Sequence, residues 1–360
     1  MNYNFVSITI LPLITAFIAT LVATPLSIYF LKKYKLMDDP KTHKHPAIIH
    51  AKPIPRGGGI PLFIGVLIAS ILFLPMTQVI VATLFAAFIS LLIGVIDDKY
   101  DVSPYLRFGI NILCAVFVVF LGVSVPFITN PLGGILSFSS LQLPFFDGFT
   151  VTFLSGLIAI LWIVWVMNML NWSKGVDGQM PGIVAISAII IGILSLRFSH
   201  LDQTSATAAT LSFIVAGASL GFLIFNFYPA KIFPGYGATA IYLILAVASI
   251  LSGAKLATAI LVMGVPMTDG LITIARRILS GKSPFWHDKK HLHHLLLSLG
   301  FGQRRIALFY WTISAILGAL SLVLSSKGKL FAIIMLVILA GGAILFLQII
   351  LKRADDKTSI

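Results

Sequence analysis

The chain has 360 residues, 58% of them hydrophobic and only 10% charged, with a mean hydropathy of +1.03. That composition excludes a water-soluble core and indicates a polytopic membrane protein. The net charge of +13 arises with no Glu at all, every acidic residue being Asp. In so apolar a chain it points to membrane orientation and a phosphate-rich substrate, not to nucleic acid. The single cysteine, Cys114, excludes an intrachain disulfide and a Cys-based metal site.

Eleven apolar segments approach the roughly 20 residues that a spanning helix needs. They cover about residues 5–31, 58–75, 78–96, 106–125, 151–170, 180–197, 207–228, 238–253, 255–276, 306–325 and 330–351. The expected fold class is therefore all-α, a single transmembrane domain of about eleven helices over residues 1–360. The first run lacks a basic leader and is too long for the core of a cleavable signal peptide, so it reads as a span. With the N-terminus outside, 21 Lys and Arg fall in cytoplasmic loops and the tail, against 4 outside. That asymmetry predicts N-out, C-in. Ten of the twelve Asp residues fall on the same cytoplasmic side. The longest outer loop, about 126–150, carries the alternating run LSFSSLQL, which predicts a short hairpin.

The first inner loop ends in PIPRGGG, with Lys52 and Arg56 before three glycines. Glycines there allow close backbone approach to a ligand or tight packing at a helix start. Basic residues in such a loop also serve orientation or contact with anionic lipid. The second inner loop begins IDDKYDVSPYLRFGIN. Adjacent Asp97 and Asp98 repel each other unless a cation lies near, and Mg²⁺ with substrate phosphates is one candidate; a solvated helix end is the other reading. Arg107 and Asn111 are one turn apart and face one side of the next helix.

The third loop reads NMLNWSKGVDGQMPG. Asn168 and Asn171, three apart, share a helix face and suit a base, sugar or phosphate, although Asn171 also suits a cap and the Gly175–Gly178 stretch a turn. The fourth, FNFYPAKIFPGYGATA, contributes Asn226, Lys231 and Tyr236. The fifth follows Asp269, a carboxylate within an apolar segment and so a functional candidate. Asp269 lies roughly 10 Å below Arg276 along a helix. Gly281, Ser283 and Pro284 end that helix, and Asp288, His291, His293 and His294 follow. The three histidines suit phosphate or base contacts more than Zn²⁺, because their spacing fits no zinc pattern and the flanking lysines repel a cation.

PIPRGGG, IDDKYDVSP, FNFYPAKIFPG and PMTDGLITIARRILSGKSPFWHDKKHLHH occur in the order seen in one family. On these motifs, from Asp38 to His294, the chain resembles the polyprenyl-phosphate N-acetylhexosamine-1-phosphate transferases of glycosyltransferase family 4. The HLHH ending resembles the GlcNAc-type branch more than the branch that makes lipid I. The resemblance implies attack of a polyprenyl phosphate on the β-phosphate of a UDP-sugar, a first membrane step of cell-envelope glycan synthesis. It implies Mg²⁺ as cofactor, UDP-sugar, polyprenyl phosphate and membrane lipids as partners, and a multi-pass inner-membrane location with the site facing the cytoplasm. It leaves a homodimer open. It also implies roles. Asp97, Asp98 and Asp269 are the catalytic carboxylates, with Asp97 and Asp98 at the metal. Lys52, Arg56, Arg107, Asn168, Asn171, Asp177, Asn226, His291, His293 and His294 bind substrate.

Two departures from the family pattern stand out. Lys174 replaces the first Asp of the third-loop motif, and Tyr236 replaces the Asp of the fourth, a metal ligand in members. Arg107 and Asn111 replace Lys and Gln. These changes shift the site toward positive charge, so weakened Mg²⁺ binding is expected. They also open the alternative of a divergent member that binds nucleotide-sugar or lipid carrier with impaired catalysis. A transporter, the other class considered, places its ionisable groups near mid-membrane at a repeat interface, not crowded on one face.

Overall fold

A turn of π-helix, Val6–Ile10, leads into α1 (Leu11–Lys33), and among the described residues eleven more α-helices follow before the last. In order they are α2 (Gly59–Phe73), α3 (Gln78–Tyr100), α4 (Pro104–Phe120), α5 (Phe153–Trp172), α6 (Gln179–Ser195) and α7 (Gln203–Asn226). Then come α8 (Thr239–Leu251), α9 (Leu256–Val262), α10 (Gly264–Leu279), α11 (Leu292–Ser298), α12 (Gln303–Val323) and α13 (Ser326–Thr358). This computed structural model describes residues 4–39, 52–131, 133–138, 142–146, 149–197, 202–253, 255–286, 288 and 290–358. Lys41, Lys44 and Lys289 of the basic loops lie outside the described residues.

Each apolar segment read from the sequence is helical. Among the described residues six helices are long and apolar enough to cross a membrane: Phe5–Lys33, α3, α5, α7, α12 and Ser326–Leu351. Four more, α2, α4, α6 and Tyr236–Leu251, are apolar but shorter. The sequence predicts one straight span over 255–276, and here the structure differs. α9 and α10 meet at Met263 with a bend of 84°. Pro266 has no N–H to give to the carbonyl of Val262, so the α9 ladder cannot run on through it. Asp269 therefore sits on a helix that turns sharply away from its predecessor, and its distance from Arg276 is not a depth along one straight span.

α8 lies at the centre. Every residue from Thr239 to Ile250 is buried, as expected of a helix apolar all round. It packs against α3, α5 and α7. Two hydrogen bonds tie it there: Trp162 Nε1 to Ser249 Oγ at 2.9 Å, and Ser90 Oγ with Thr239 Oγ1 at 2.9 Å. α1 packs on α7 through Gly217 and Gly221, four apart on one face. A Cβ at Gly217 would stand 2.0 Å from the Leu13 carbonyl oxygen. Backbones approach so closely only where small residues line the contact.

The chain is not purely helical. Among the described residues three antiparallel ribbons pair β1 (Met37–Asp38) with β2 (Ile54–Pro55), β3 (Phe127–Thr129) with β4 (Ile135–Ser137), and β5 (Gln142–Phe146) with β6 (Phe149–Thr152). The run expected to form one hairpin is shared between two. Its start belongs to β4 and its end to β5, while residues 139–141 lie outside the described residues.

Candidate active site

All five loops singled out by the sequence meet at one end of the helices. β2 ends at Arg56, which forms a parallel bridge with Phe233 of the fourth loop. Phe233 donates its N–H to the Pro55 carbonyl at 2.8 Å, and Gly58 donates back to Phe233 at 2.9 Å. Gly235 then turns with φ +68°, a conformation glycine adopts without strain. A Cβ there would lie 2.0 Å from Asp98 Oδ2, so only glycine lets the fourth loop close over the end of α3.

Asp97 and Asp98 end α3 and are 1% and 2% exposed, so each needs a partner. Arg107 Nη1 contacts both Asp97 oxygens at 3.0 Å, and Val102 N–H donates to Oδ1 at 3.0 Å. Asp98 Oδ1 accepts from Arg56 Nε and from Tyr236 N–H, both at 2.8 Å. Arg56 also lies 3.8 Å from Asp38 and 4.0 Å from Asp97. Burial lowers the Arg56 affinity for its proton, but Asp98, Asp38 and Asp97 together raise it above the ordinary guanidinium value. Asp98 Oδ2 is buried without a partner.

Lys174 crosses this cluster. Its Nζ donates to the Gly235 carbonyl at 2.9 Å and stands 5.6 Å from the Tyr236 ring centre and 5.9 Å from that of Phe233. Burial draws its ammonium down to about 7, with Asp98 pulling upward and Arg56 adding to the fall. Arg107 covers the other aspect of Tyr236, 5.1 Å from its ring centre. Asn111 Nδ2 donates to the Tyr236 hydroxyl at 3.0 Å. Arg107 and Asn111 thus face one side, as their spacing predicts, and that side is Tyr236.

The third loop joins this cluster to a second. Next to Lys174, Gly175 lies against His293, where a Cβ would stand 1.9 Å from Nε2. His293 stacks on His291 at 5.6 Å with planes 5° apart, and His294 lies 4.3 Å away. All three rings are buried. Burial, with His294 and His291 alongside, holds His293 well below the usual imidazole range and therefore neutral. Asp269 is also buried; its Oδ2 lies 2.9 Å from His291 Nδ1, and its Oδ1 accepts the Leu292 N–H at 3.2 Å. A carboxylate at Nδ1 fixes that nitrogen as the donor. Asp288 accepts from Arg276 at 2.8 Å and Arg277 at 3.0 Å. Burial opposes its charge, yet the Lys290 N–H and the two guanidiniums hold its carboxyl down at about 2.

The remaining candidates position loops. Asp177 Oδ2 accepts the Ala230 N–H at 2.9 Å. Asn226 accepts from Gly178 N–H at 3.1 Å and donates to the Ile232 carbonyl at 2.8 Å. Asn168 turns back to the Val164 carbonyl at 2.7 Å, while Asn171 Oδ1 is buried without a partner. Lys52 is exposed. Sequence reasoning passed over Gln303, whose Oε1 accepts the Asp177 N–H at 3.1 Å, and Trp172, which packs on His291 and Arg277. Neither is itself charged, so neither stood out. Beside Arg56 an apolar groove of about 710 Å³ runs between α1, α2 and α3, lined by Ile18, Leu26, Leu31, Ile64 and Val95 among others. Leu31 packs on Gly57, next to Arg56, and Val95 precedes Asp98 by three residues, so one end of the groove lies near the charged cluster.

Residues 80–253 match the family described as "Glycosyl transferase family 4". A Bacillus subtilis protein named as a probable undecaprenyl-phosphate N-acetylglucosaminyl 1-phosphate transferase is 30% identical over 350 residues, 94% of this chain and 89% of its own length. The chain belongs to glycosyl transferase family 4. The decaprenyl-phosphate N-acetylglucosaminephosphotransferase of Mycobacterium tuberculosis is 33% identical over 86% of this chain and 81% of its own. A phospho-N-acetylmuramoyl-pentapeptide-transferase of Moorella thermoacetica is 27% identical over 87% and 97%. Membership makes the chain a phosphoglycosyl transferase, and its apolar helices make it a multi-pass membrane protein.

Membership in glycosyl transferase family 4 also raises the question of Mg²⁺. That ion prefers an octahedron of hard oxygens, with one or two carboxylates among them. Among the described residues no group of three or more His, Cys, Asp or Glu side chains is placed to hold a metal. Asp97 and Asp98 are each occupied by a guanidinium, and Tyr236 offers a phenol already engaged by Asn111. Three carboxylates, Asp38, Asp97 and Asp98, meet three cations, Arg56, Arg107 and Lys174. The residues present do not fit the ion.

Proposed function

We propose that this enzyme transfers a sugar-1-phosphate, most simply N-acetylhexosamine-1-phosphate, from a UDP-sugar to a polyprenyl phosphate. A phosphate oxygen of the lipid forms a bond to the β-phosphorus, the bond from that phosphorus to the bridging oxygen breaks, and UMP leaves. The observation that carries this reading is a half-buried cluster of Arg56, Arg107 and Lys174 with an apolar groove alongside it. An amphiphile with an anionic head and a hydrocarbon tail matches that pair. Phosphoryl transfer needs little covalent chemistry from the protein, mainly positioning and neutralisation of charge. Asp98, whose Oδ2 is shut in beneath Gly235 without a partner, contributes its negative charge to the setting of Arg56 and Lys174. Asp97, held by Arg107, keeps the guanidinium oriented.

The four shorter helices and the bent pair complete eleven crossings in this reading, with the N-terminus outside and the C-terminus inside. The Lys and Arg asymmetry supports it. The loops then face the cytoplasm of the inner membrane, where UDP-sugars are.

The test is a panel of radiolabelled UDP-sugars offered, with undecaprenyl phosphate, to membranes that express the chain. One sugar should yield label extractable into organic solvent together with UMP; no transfer from any of them rejects the reading. The groove is tested in the same assay. Ile64→Trp should raise the KM for a long prenyl phosphate by roughly tenfold, a loss of about 1.4 kcal/mol. It should leave the KM for UDP-sugar unchanged. Equal KM values for the lipid in both proteins would remove the groove from the site.

A further inference from the structure

We infer that Lys174, backed by Arg56 and Arg107, supplies the counter-charge for the substrate diphosphate, so that binding and transfer proceed without a divalent cation. This rests on the transferase reading above. The carboxylates that could hold an ion are already spent. Asp97 lies against Arg107 at 3.0 Å, and Asp98 Oδ1 carries both Arg56 and the Tyr236 N–H at 2.8 Å. The oxygen left over, Asp98 Oδ2, lies under the backbone of Gly235, which is too close to admit even a methyl group. A hydrated ion needs more space than that.

Charge leads to the same place. The three carboxylates and three cations of the cluster balance, so a divalent ion would enter with its charge uncompensated and next to an ammonium. A diphosphate would meet the same balance but with one cation not tied to a carboxylate, since Lys174 Nζ lies against the Gly235 carbonyl, and arriving phosphates favour its protonated form. Lys174 Nζ makes one hydrogen bond, to Gly235, and an ammonium has three hydrogens to give. The Phe233 and Tyr236 rings beside it screen it from bulk water, and a fixed charge acts more strongly where water is excluded. The Tyr236 hydroxyl already accepts from Asn111 Nδ2, and a neutral phenol is a poor stand-in for a carboxylate ligand.

Lys174 has a competing role as a mere tether of the Gly235 turn. Lys174→Gln separates the two, since a glutamine amide can still donate to Gly235 while carrying no charge. Two readouts are needed: turnover with undecaprenyl phosphate, and calorimetric titration with UDP, each in excess EDTA and in millimolar Mg²⁺. Wild type should change less than about twofold between the two conditions. Lys174→Gln should lose roughly 10²-fold in turnover, the scale of one electrostatic group, and should bind UDP more weakly in EDTA. Lys174→Arg should restore binding. The double variant Lys174→Asp, Tyr236→Asp should bind UDP only when Mg²⁺ is present, and the two changes should not add independently, because both act on one ion. Wild type that binds UDP only with Mg²⁺ overturns the inference, as does Lys174→Gln that binds UDP in EDTA like wild type. If no sugar is transferred but UDP binding in EDTA depends on Lys174, the transferase reading falls and the metal-free diphosphate site stands.

Discussion

Asp98→Asn should lower turnover by at least about 10²-fold, the usual effect of losing an acid–base or electrostatic group. The amide oxygen can still accept from Arg56 Nε and the Tyr236 N–H, so the tie between α3 and the fourth loop survives. Arg56 is not stranded either, with Asp38 at 3.8 Å and Asp97 at 4.0 Å. What disappears is the negative charge and the free acceptor at Oδ2. Protein level and UDP-sugar binding should therefore hold up much better than turnover. Initial rates, UDP-sugar titration and the thermal midpoint, measured on one preparation, check this. Unchanged turnover would reduce Asp98 to a clamp on the helix end.

Asp269→Ala is expected to be comparably damaging for a different reason. Asp269 accepts from two buried donors, His291 Nδ1 and the Leu292 N–H. Leaving a buried donor without a partner costs about 1–3 kcal/mol. The start of α11 would loosen from α10, and with it the His291–His293 stack that rests on Gly175, one residue from Lys174. Displacements of about 1 Å at a reacting site cost roughly 10²-fold in rate. Turnover should fall by that order and the thermal midpoint should drop. Asp269→Asn should recover part of both, because its oxygen can still take one of the two bonds. A variant Asp269→Ala that is less stable yet fully active would make this cluster a fold device with no part in the chemistry.

Much of this was legible in the chain. Hydropathy is summed over neighbours in sequence, so the apolar segments announce themselves as helices wherever they later pack. The charged loops were legible for the same reason: Asp, Arg, Lys and His stand out against apolar neighbours, and burying them is costly unless something binds or pairs them. The glycines of PIPRGGG could be read as points of close approach, which Gly58 is; the closer approach at Gly235 was not read.

The partners were not legible. Asp98 meets Tyr236 across 138 residues, Asn111 meets Tyr236 across 125, and Lys174 meets Gly235 across 61. Two adjacent carboxylates imply a nearby cation without saying which one, and a metal and an arginine answer that need equally well. The ends of eleven apolar segments carry cations enough for either. The bend at Met263 was not read, although Pro266 removes a helical N–H there, and its 84° is set by what packs on either side. The sequence determined which groups would be driven to one membrane edge, because that is a matter of local solvation. Only the tertiary structure decided that Arg56, Arg107 and Lys174 occupy the carboxylates there, because an ion pair is a distance, and distances between remote segments exist only once the helices have packed.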